Sequence, residues 1–170
     1  MASYDEGKRE IVEWVRKNFP KGSTCLDVGA CDGKWADLLG DHLVMDAVEI
    51  FLPYITRHEL TRKYRHVHHG DIANYPYIYY DLVIFGDVIE HMDVETARAV
   101  LEYAAYHCTD MVVGVPYLYR QGELNGNPYE RHIQYDLTEK IFAERYPGME
   151  MLLRAKSDYA YYHLIPPGSK

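Results

Sequence analysis

Apolar residues along this chain fall into two alternating rhythms. Ile11, Val12, Trp14, Val15 and Phe19 recur at the spacing of one helix face, and Pro20-Lys21-Gly22 stops that helix. Ser23 to Val28 then reads as a short strand that runs into a glycine-bearing turn. Trp35, Leu38 and Leu39 mark the next helix, and Val44 to Ile50 reads as a second strand. Pro53 suits the first turn of a helix reaching about Lys63. Tyr64 to His69 is a third, weaker strand. Asp81 to Phe85 is an almost unbroken apolar run, the pattern of a strand covered on both faces. Asp93 stands as a cap before Val94, Ala97, Val100, Leu101 and Ala104, which share a helix face. Met111 to Val115 predicts a fifth strand. Asp136-Leu137-Thr138-Glu139 has capping-box spacing before Ile141 and Phe142, and Pro147-Gly148 ends the helix. Two last strands are expected at about Met149 to Ala155 and Tyr159 to Ile165, with Pro166 to Lys170 as a frayed tail.

Strands that alternate with helices predict an α/β domain with a mostly parallel sheet. The 170 residues suit a single domain spanning 1–170. With 48% hydrophobic and 26% charged residues the chain is globular rather than disordered or fibrous. Apolar runs such as Met111-Val112-Val113-Gly114-Val115 fall far short of a bilayer span, and the charged stretch Met1 to Glu10 lacks a secretory core. No membrane association is therefore expected. A net charge of −8 disfavours non-specific attraction to nucleic acid. Three cysteines without CxxC pairing argue against a disulfide scaffold or structural zinc and point to the reducing cytoplasm. The 17 tyrosines predict many half-buried rings with hydroxyls free to bond.

The segment richest in chemistry is Leu26-Asp27-Val28-Gly29-Ala30-Cys31-Asp32-Gly33, where the first strand turns into a helix. Ligands of open α/β sheets bind outside the carboxyl ends of the strands at such crossovers. Gly29 permits a sharp turn and Gly33 a close approach of helix and ligand. A dinucleotide fingerprint needs glycine at position 31, where Cys31 stands, so NAD and FAD are disfavoured. Glu49, twenty positions after Gly29, ends the second strand and can accept hydrogen bonds from both hydroxyls of an unphosphorylated ribose. Asp71 ends the third strand, where a carboxylate can accept from an adenine amine, with Ile50 and Ile72 placed to sandwich the ring. Asp87 ends the fourth strand, beside the access that Gly86 leaves.

Taken in order, Asp27 to Gly33, Glu49, Gly70-Asp71-Ile72 and Asp81 to Met92 resemble the class I S-adenosylmethionine-dependent methyltransferases over about residues 23 to 115. The resemblance implies a Rossmann-like, seven-stranded, mostly parallel sheet with its last strand antiparallel and helices on both faces. It implies S-adenosylmethionine as methyl donor and S-adenosylhomocysteine as product. By the same resemblance the loop from Gly29 through Ala30 and Cys31 to Gly33 runs under the methionine part. Glu49 binds the ribose and Asp71 the adenine amine, while the peptide groups of Ile50 and Ile72 lie near the ring. Asp87 lies near the methionine end, and Asp27 organises the loop.

Methyl transfer from a sulfonium asks the protein mainly to align the acceptor and exclude water. A base is needed only where the acceptor must lose a proton early. His91, just past the fourth strand, is the candidate base beside Asp87. Asp87-x-x-Glu90-His91 is also similar to an acid-x-x-Glu-His pattern of small-RNA 3′-end and ubiquinone-pathway O-methyltransferases, in which a divalent ion is held; His132 would complete such a site. The first acid is Asp87 rather than the more usual glutamate, and no metal is expected. His66, His68 and His69 read as a solvated strand edge. The long loop from Pro116 to Tyr135, with Tyr117, Tyr119, Arg120, Tyr129, Arg131 and His132, reads as a lid or substrate wall. The expected acceptor is an O or N atom of a small molecule. A nucleic-acid acceptor predicts instead that Arg57, Arg62, Lys63, Arg65, Arg120 and Arg131 form one basic face, and a non-catalytic binding module predicts a blocked acceptor pocket.

Overall fold

The computed structural model describes residues 5–76, 78–156 and 158–165. The expected tail, 166–170, lies outside the described residues. The elements follow the order α1 (Lys8–Asn18), β1 (Thr24–Val28), α2 (Lys34–Leu39), β2 (Val44–Glu49), α3 (Leu52–Arg57), α4 (Leu60–Lys63) and β3 (Val67–His69). Then come β4 (Tyr80–Gly86), α5 (Val94–Ala105), β5 (Cys108–Pro116), α6 (Glu139–Arg145), β6 (Met149–Lys156) and β7 (Tyr159–Leu164). Short 3-10 turns lie at Ile72–Asn74, Ile89–His91 and Pro128–Glu130.

The strands form one seven-stranded sheet in the order β3-β2-β1-β4-β5-β7-β6. β1 pairs in parallel with β2 and β4, β2 with β3, and β4 with β5. β7 runs antiparallel to both β5 and β6. The strand order reverses beside β1, so the carboxyl ends of β1 and β4 open a crevice there.

Alternation along the central strands splits the core in two. On β4, Val83 and Phe85 face one side and pack with Ala97, Val100 and Leu101 of α5 and with Phe142 of α6. Leu82 and Ile84 face the other side and pack with Ile11 and Val15 of α1 and with Trp35 and Leu39 of α2. All four of these β4 side chains are fully buried, as the unbroken apolar run predicts.

The structure departs from the expected elements at three places. The helix expected from Pro53 to Lys63 is divided, because Glu59 adopts φ 49°, a left-handed conformation that a continuous helix excludes. The third strand is shortened to Val67–His69. Asp136 does not cap α6: Thr138 is the N-cap and accepts from the Ile141 N–H, while Arg145 holds the Asp136 carboxylate with two bonds of 2.8 and 2.6 Å. Asp93 does cap α5, accepting from the Thr96 N–H at 2.9 Å.

Candidate active site

The crossover turn after β1 is built from two left-handed residues, Gly29 at φ 69° and Cys31 at φ 47°. A Cβ on Gly29 would lie 2.8 Å from Val88 Cγ2, so this position needs glycine for both conformation and space. The turn is tied to the end of β2: Glu49 Oε2 accepts from the Cys31 N–H at 2.9 Å, and Oε1 accepts from the Phe51 N–H at 2.8 Å. Glu49 is almost wholly buried, and burial pushes its carboxyl above the usual range against the pull of these bonds. Each carboxylate oxygen keeps one acceptor site after its backbone bond.

Asp27, further back on β1, is buried and accepts from the Tyr64 hydroxyl. Burial raises its pKa to about 7. Asp71 is exposed and accepts from the Ala73 N–H at 2.9 Å, while Ile72 beside it is buried. Asp87 ends the fourth-strand segment at φ 57°, a strained conformation for a residue with a side chain, and its Oδ1 accepts from the Tyr159 hydroxyl at 2.8 Å. Gly86 makes room for Trp35, whose Nε1 lies 2.6 Å from where a Cβ would stand. Lys8 of α1 rests over the Trp35 ring, 5.1 Å from its centroid.

A cavity of about 480 Å³ lies above these strand ends. Of the eleven residues singled out in the sequence, all line it except Asp27 and Gly33. Asp27 stands behind the turn, bonded to Tyr64. Gly33, at φ 77°, begins α2, and a Cβ there would meet Lys63 Cδ at 2.6 Å, so it serves the approach of α4 rather than the cavity wall.

The far wall is the loop between β5 and α6, which contributes Tyr119, Gln121, Tyr129 and His132. It is fastened at both sides. Tyr54 of α3 donates its hydroxyl to Glu130 Oε1 at 2.9 Å, and Gln121 Nε2 donates to the Glu130 carbonyl at 2.8 Å. At the other side the N–H groups of Ile133 and Gln134 donate to the Glu90 carbonyl at 2.8 and 2.9 Å. The sequence singles out this loop as a lid or substrate wall but carries no sign of these fastenings. No local pattern marks a contact between residues 54 and 130.

His91 and His132 meet at the edge of the cavity, with ring centroids 4.7 Å apart. His91 Nδ1 lies 3.2 Å from the Arg131 carbonyl, and His132 Nδ1 lies 2.9 Å from the Tyr119 carbonyl. A carbonyl only accepts, so each Nδ1 carries the proton and each Nε2 carries a lone pair. Burial pushes both imidazoles below their usual pKa, which keeps them neutral. Glu90 beside them is fully buried, and neither carboxylate oxygen has a hydrogen-bond partner among the described residues. Burial, with the charge of Asp87 adding to it, drives the Glu90 carboxyl well above the usual range.

Four of the six cations named for a nucleic-acid face are held in ion pairs. Arg62 bonds Glu59, Lys63 bonds Asp37 and Arg65 bonds Asp46, each at 2.7 Å. Arg131 bonds Glu123 at 3.0 Å, and Arg120 stacks 4.0 Å above the Tyr135 ring. The three histidines near β3 each have separate neighbours: His66 meets Asp46, His68 the Tyr75 ring and His69 the Ile50 carbonyl.

The sequence matches no family model and no curated relative. Solved structures match it well in shape. An S-adenosylmethionine-dependent methyltransferase from Clostridium acetobutylicum aligns over 96% of this chain and 92% of its own, at 13% identity and a TM-score of 0.72. The chain has the class I methyltransferase fold. The N-methyltransferase NodS from Bradyrhizobium japonicum, in complex with S-adenosyl-L-homocysteine, aligns over 94% of this chain and 86% of its own, at 14% identity and a TM-score of 0.66. Magnesium protoporphyrin IX methyltransferase from Synechocystis, with bound S-adenosylmethionine, aligns over 92% of this chain and 77% of its own, at 16% identity and a TM-score of 0.59. At these identities the likeness is one of fold, and within that methyltransferase fold the cavity stands at the carboxyl ends of β1, β2 and β4.

Proposed function

We propose that this protein is an S-adenosylmethionine-dependent methyltransferase acting on an O or N atom of a small molecule. The observation that carries the reading is Glu49: a buried carboxylate at the end of β2, held by two backbone N–H groups, lines the cavity with one acceptor site left on each oxygen. That arrangement suits a ribose diol. The N-methyltransferase and porphyrin methyltransferase with the same fold, solved with S-adenosylhomocysteine or S-adenosylmethionine, support the cofactor. A cavity of about 480 Å³ lies within the range of small-molecule sites.

When bound, the cofactor supplies a methyl group already activated by its positive sulfur. Glu49 holds the sugar, Asp71 and the backbone of Ile50 and Ile72 border the adenine, and the turn at Gly29, Ala30 and Cys31 supports the amino-acid end near Asp87. The wall of Tyr119, Tyr129 and His132 excludes water and orients the acceptor. His91, neutral with its Nε2 lone pair free of the Arg131 contact, can take a proton from an acceptor hydroxyl or ammonium. The pairing of four of the six named cations with carboxylates favours a small acceptor over a nucleic acid, and an open cavity walled by the loop from β5 to α6 favours an enzyme over a binding module with a blocked pocket. The three cysteines are free thiols, which suits a cytoplasmic location. No helix among the described residues is long and apolar enough to cross a membrane.

Calorimetric titration of the full chain with S-adenosylhomocysteine, and separately with NAD, tests the reading. Saturable binding of the first and none of the second is expected. A folded chain that ignores S-adenosylhomocysteine, or that takes NAD instead, overturns it.

A further inference from the structure

Gly86 and Gly114 are paired in the parallel register of β4 with β5. A Cβ on Gly86 would lie 2.6 Å from Trp35 Nε1, and one on Gly114 would lie 2.7 Å from the Tyr159 hydroxyl and 2.9 Å from Tyr161 Cε1. Trp35, Tyr159 and Tyr161 pack in the half of the core that faces α1 and α2. The two absent side chains clear a lane across that face of the sheet, and aromatic rings fill it. Tyr159 makes the longest use of the lane. In the antiparallel register its partner on β5 is Pro116, yet its hydroxyl reaches back to Gly114. There it crosses β5 and donates to Asp87 Oδ1 at 2.8 Å, at the end of β4 and two strands from its own.

Asp87 is thus held from two strands. Its N–H donates to the Gly114 carbonyl at 3.1 Å, while its φ of 57° turns it out of the line of β4. A left-handed conformation in a residue with a side chain persists only where the surroundings fix it. Here β5 fixes the backbone and β7 the carboxylate. Tyr159 is fully buried, and burial, with the charge of Asp87 adding to it, pushes its pKa far up, so the hydroxyl keeps the proton that it donates. Asp87 lines the cavity, whereas neither Tyr159 nor Gly114 is among the described residues that do. What Tyr159 does for a ligand it therefore does through Asp87.

We propose that Tyr159 is a positioning residue, which aims the Asp87 carboxylate at the amino-acid end of S-adenosylmethionine for a bond with its α-ammonium. The inference rests on the methyltransferase reading and deepens it. Of the two charged groups at that end, a carboxylate attracts the ammonium and repels the other. Without the hydroxyl bond the Asp87 side chain is able to turn about both of its single bonds. With that bond one orientation is selected before the ligand arrives, and less side-chain entropy is lost on binding. Removal of the hydroxyl then weakens ligands that carry the amino-acid end and spares those that lack it.

The test compares two ligands on the full chain by calorimetric titration: S-adenosylhomocysteine, which carries the amino-acid end, and 5′-methylthioadenosine, which lacks it. In Tyr159→Phe, which keeps the ring, the first should bind about ten-fold more weakly than in the parent, and the second within about two-fold. Asp87→Asn should show the same split. Adding Tyr159→Phe to it should change little more, because the group through which Tyr159 acts is already altered. Should Tyr159→Phe not fold, Gly114→Ala keeps the hydroxyl but displaces it with a methyl, and the same split is expected. Undiminished S-adenosylhomocysteine binding by Tyr159→Phe overturns the inference. So does an equal loss of both ligands, which a purely structural role predicts, or a loss that adds in full to that of Asp87→Asn. All three of these results leave ligand binding by the parent intact and the methyltransferase reading with it. A parent chain that binds neither ligand removes that reading and the inference together.

Discussion

Replacing Glu49 is the sharpest perturbation of the proposed cofactor site. Its two oxygens accept from the Cys31 and Phe51 N–H groups at 2.9 and 2.8 Å, and each has one acceptor site left for a ribose hydroxyl. A hydrogen bond to a charged group contributes about 1.5–3 kcal/mol. Two such bonds amount to roughly 3–6 kcal/mol, and each 1.4 kcal/mol is a factor of about ten in affinity. Glu49→Ala should therefore weaken S-adenosylhomocysteine binding by roughly a hundred-fold to ten-thousand-fold. Glu49→Gln keeps the shape and one acceptor oxygen but sets its amide N–H₂ against a backbone donor, so its loss should be intermediate. The assay is calorimetric titration of both variants beside the parent chain. Circular dichroism and thermal unfolding must accompany it, because the alanine variant leaves two backbone N–H groups without their acceptor at a cost of about 1–3 kcal/mol each. A folded Glu49→Ala chain that binds within three-fold of the parent refutes the reasoning.

Two further outcomes follow from groups near the site. Asp27 has a folded-state pKa of about 7 against an ordinary 3.8, so the folded chain holds that proton more tightly than the unfolded one. The stability linked to Asp27 is therefore full below about pH 4 and is lost as pH rises towards 7. Asp27→Asn removes this dependence, and urea unfolding should show its stability relative to the parent improving by roughly 2–3 kcal/mol between pH 5 and pH 8; a constant difference counts against a buried, protonated Asp27. Tyr54→Phe deletes the hydroxyl bond to Glu130, which should cost about 0.5–1.5 kcal/mol locally and speed amide exchange at residues 127–132. Unchanged exchange there means that this bond does not fasten the lid.

The architecture was legible because local pattern and tertiary role agree in this chain. The run from Asp81 to Phe85 is apolar on consecutive positions because β4 lies at the centre of the sheet, with α5 on one face and α1 and α2 on the other. Gly29 and Glu49 could be singled out because each sits at a strand end whose position the strand pattern predicts, and the parallel register of β1 with β2 then brings both to the cavity. The misplaced boundaries have local causes that pattern does not carry. Glu59 breaks a helix from a left-handed conformation that glutamate seldom adopts, and Asp136 gives its capping role to Thr138 because Arg145 claims its carboxylate.

What the strand and helix pattern withheld is proximity across the loop, and only the resemblance set His132 beside Glu90 and His91. His91 and His132 are forty-one positions apart, and neither histidine is part of a periodic face that would assign it a direction. Their rings meet because the lid returns to the turn after β4, where the Ile133 and Gln134 N–H groups converge on one carbonyl, that of Glu90. Gln134 extends the junction by donating to the carbonyls of Ile89 and Met92 at 2.8 and 3.1 Å. The backbone of Glu90 thus anchors the loop, while its side chain is buried with no hydrogen bond among the described residues, beside His91 and His132. Burial without a bonded partner, with the charge of Asp87 beside it, drives that carboxyl well above its usual range. The backbone of the turn from Ile89 to Met92 therefore fixes where the loop from β5 to α6 meets the sheet.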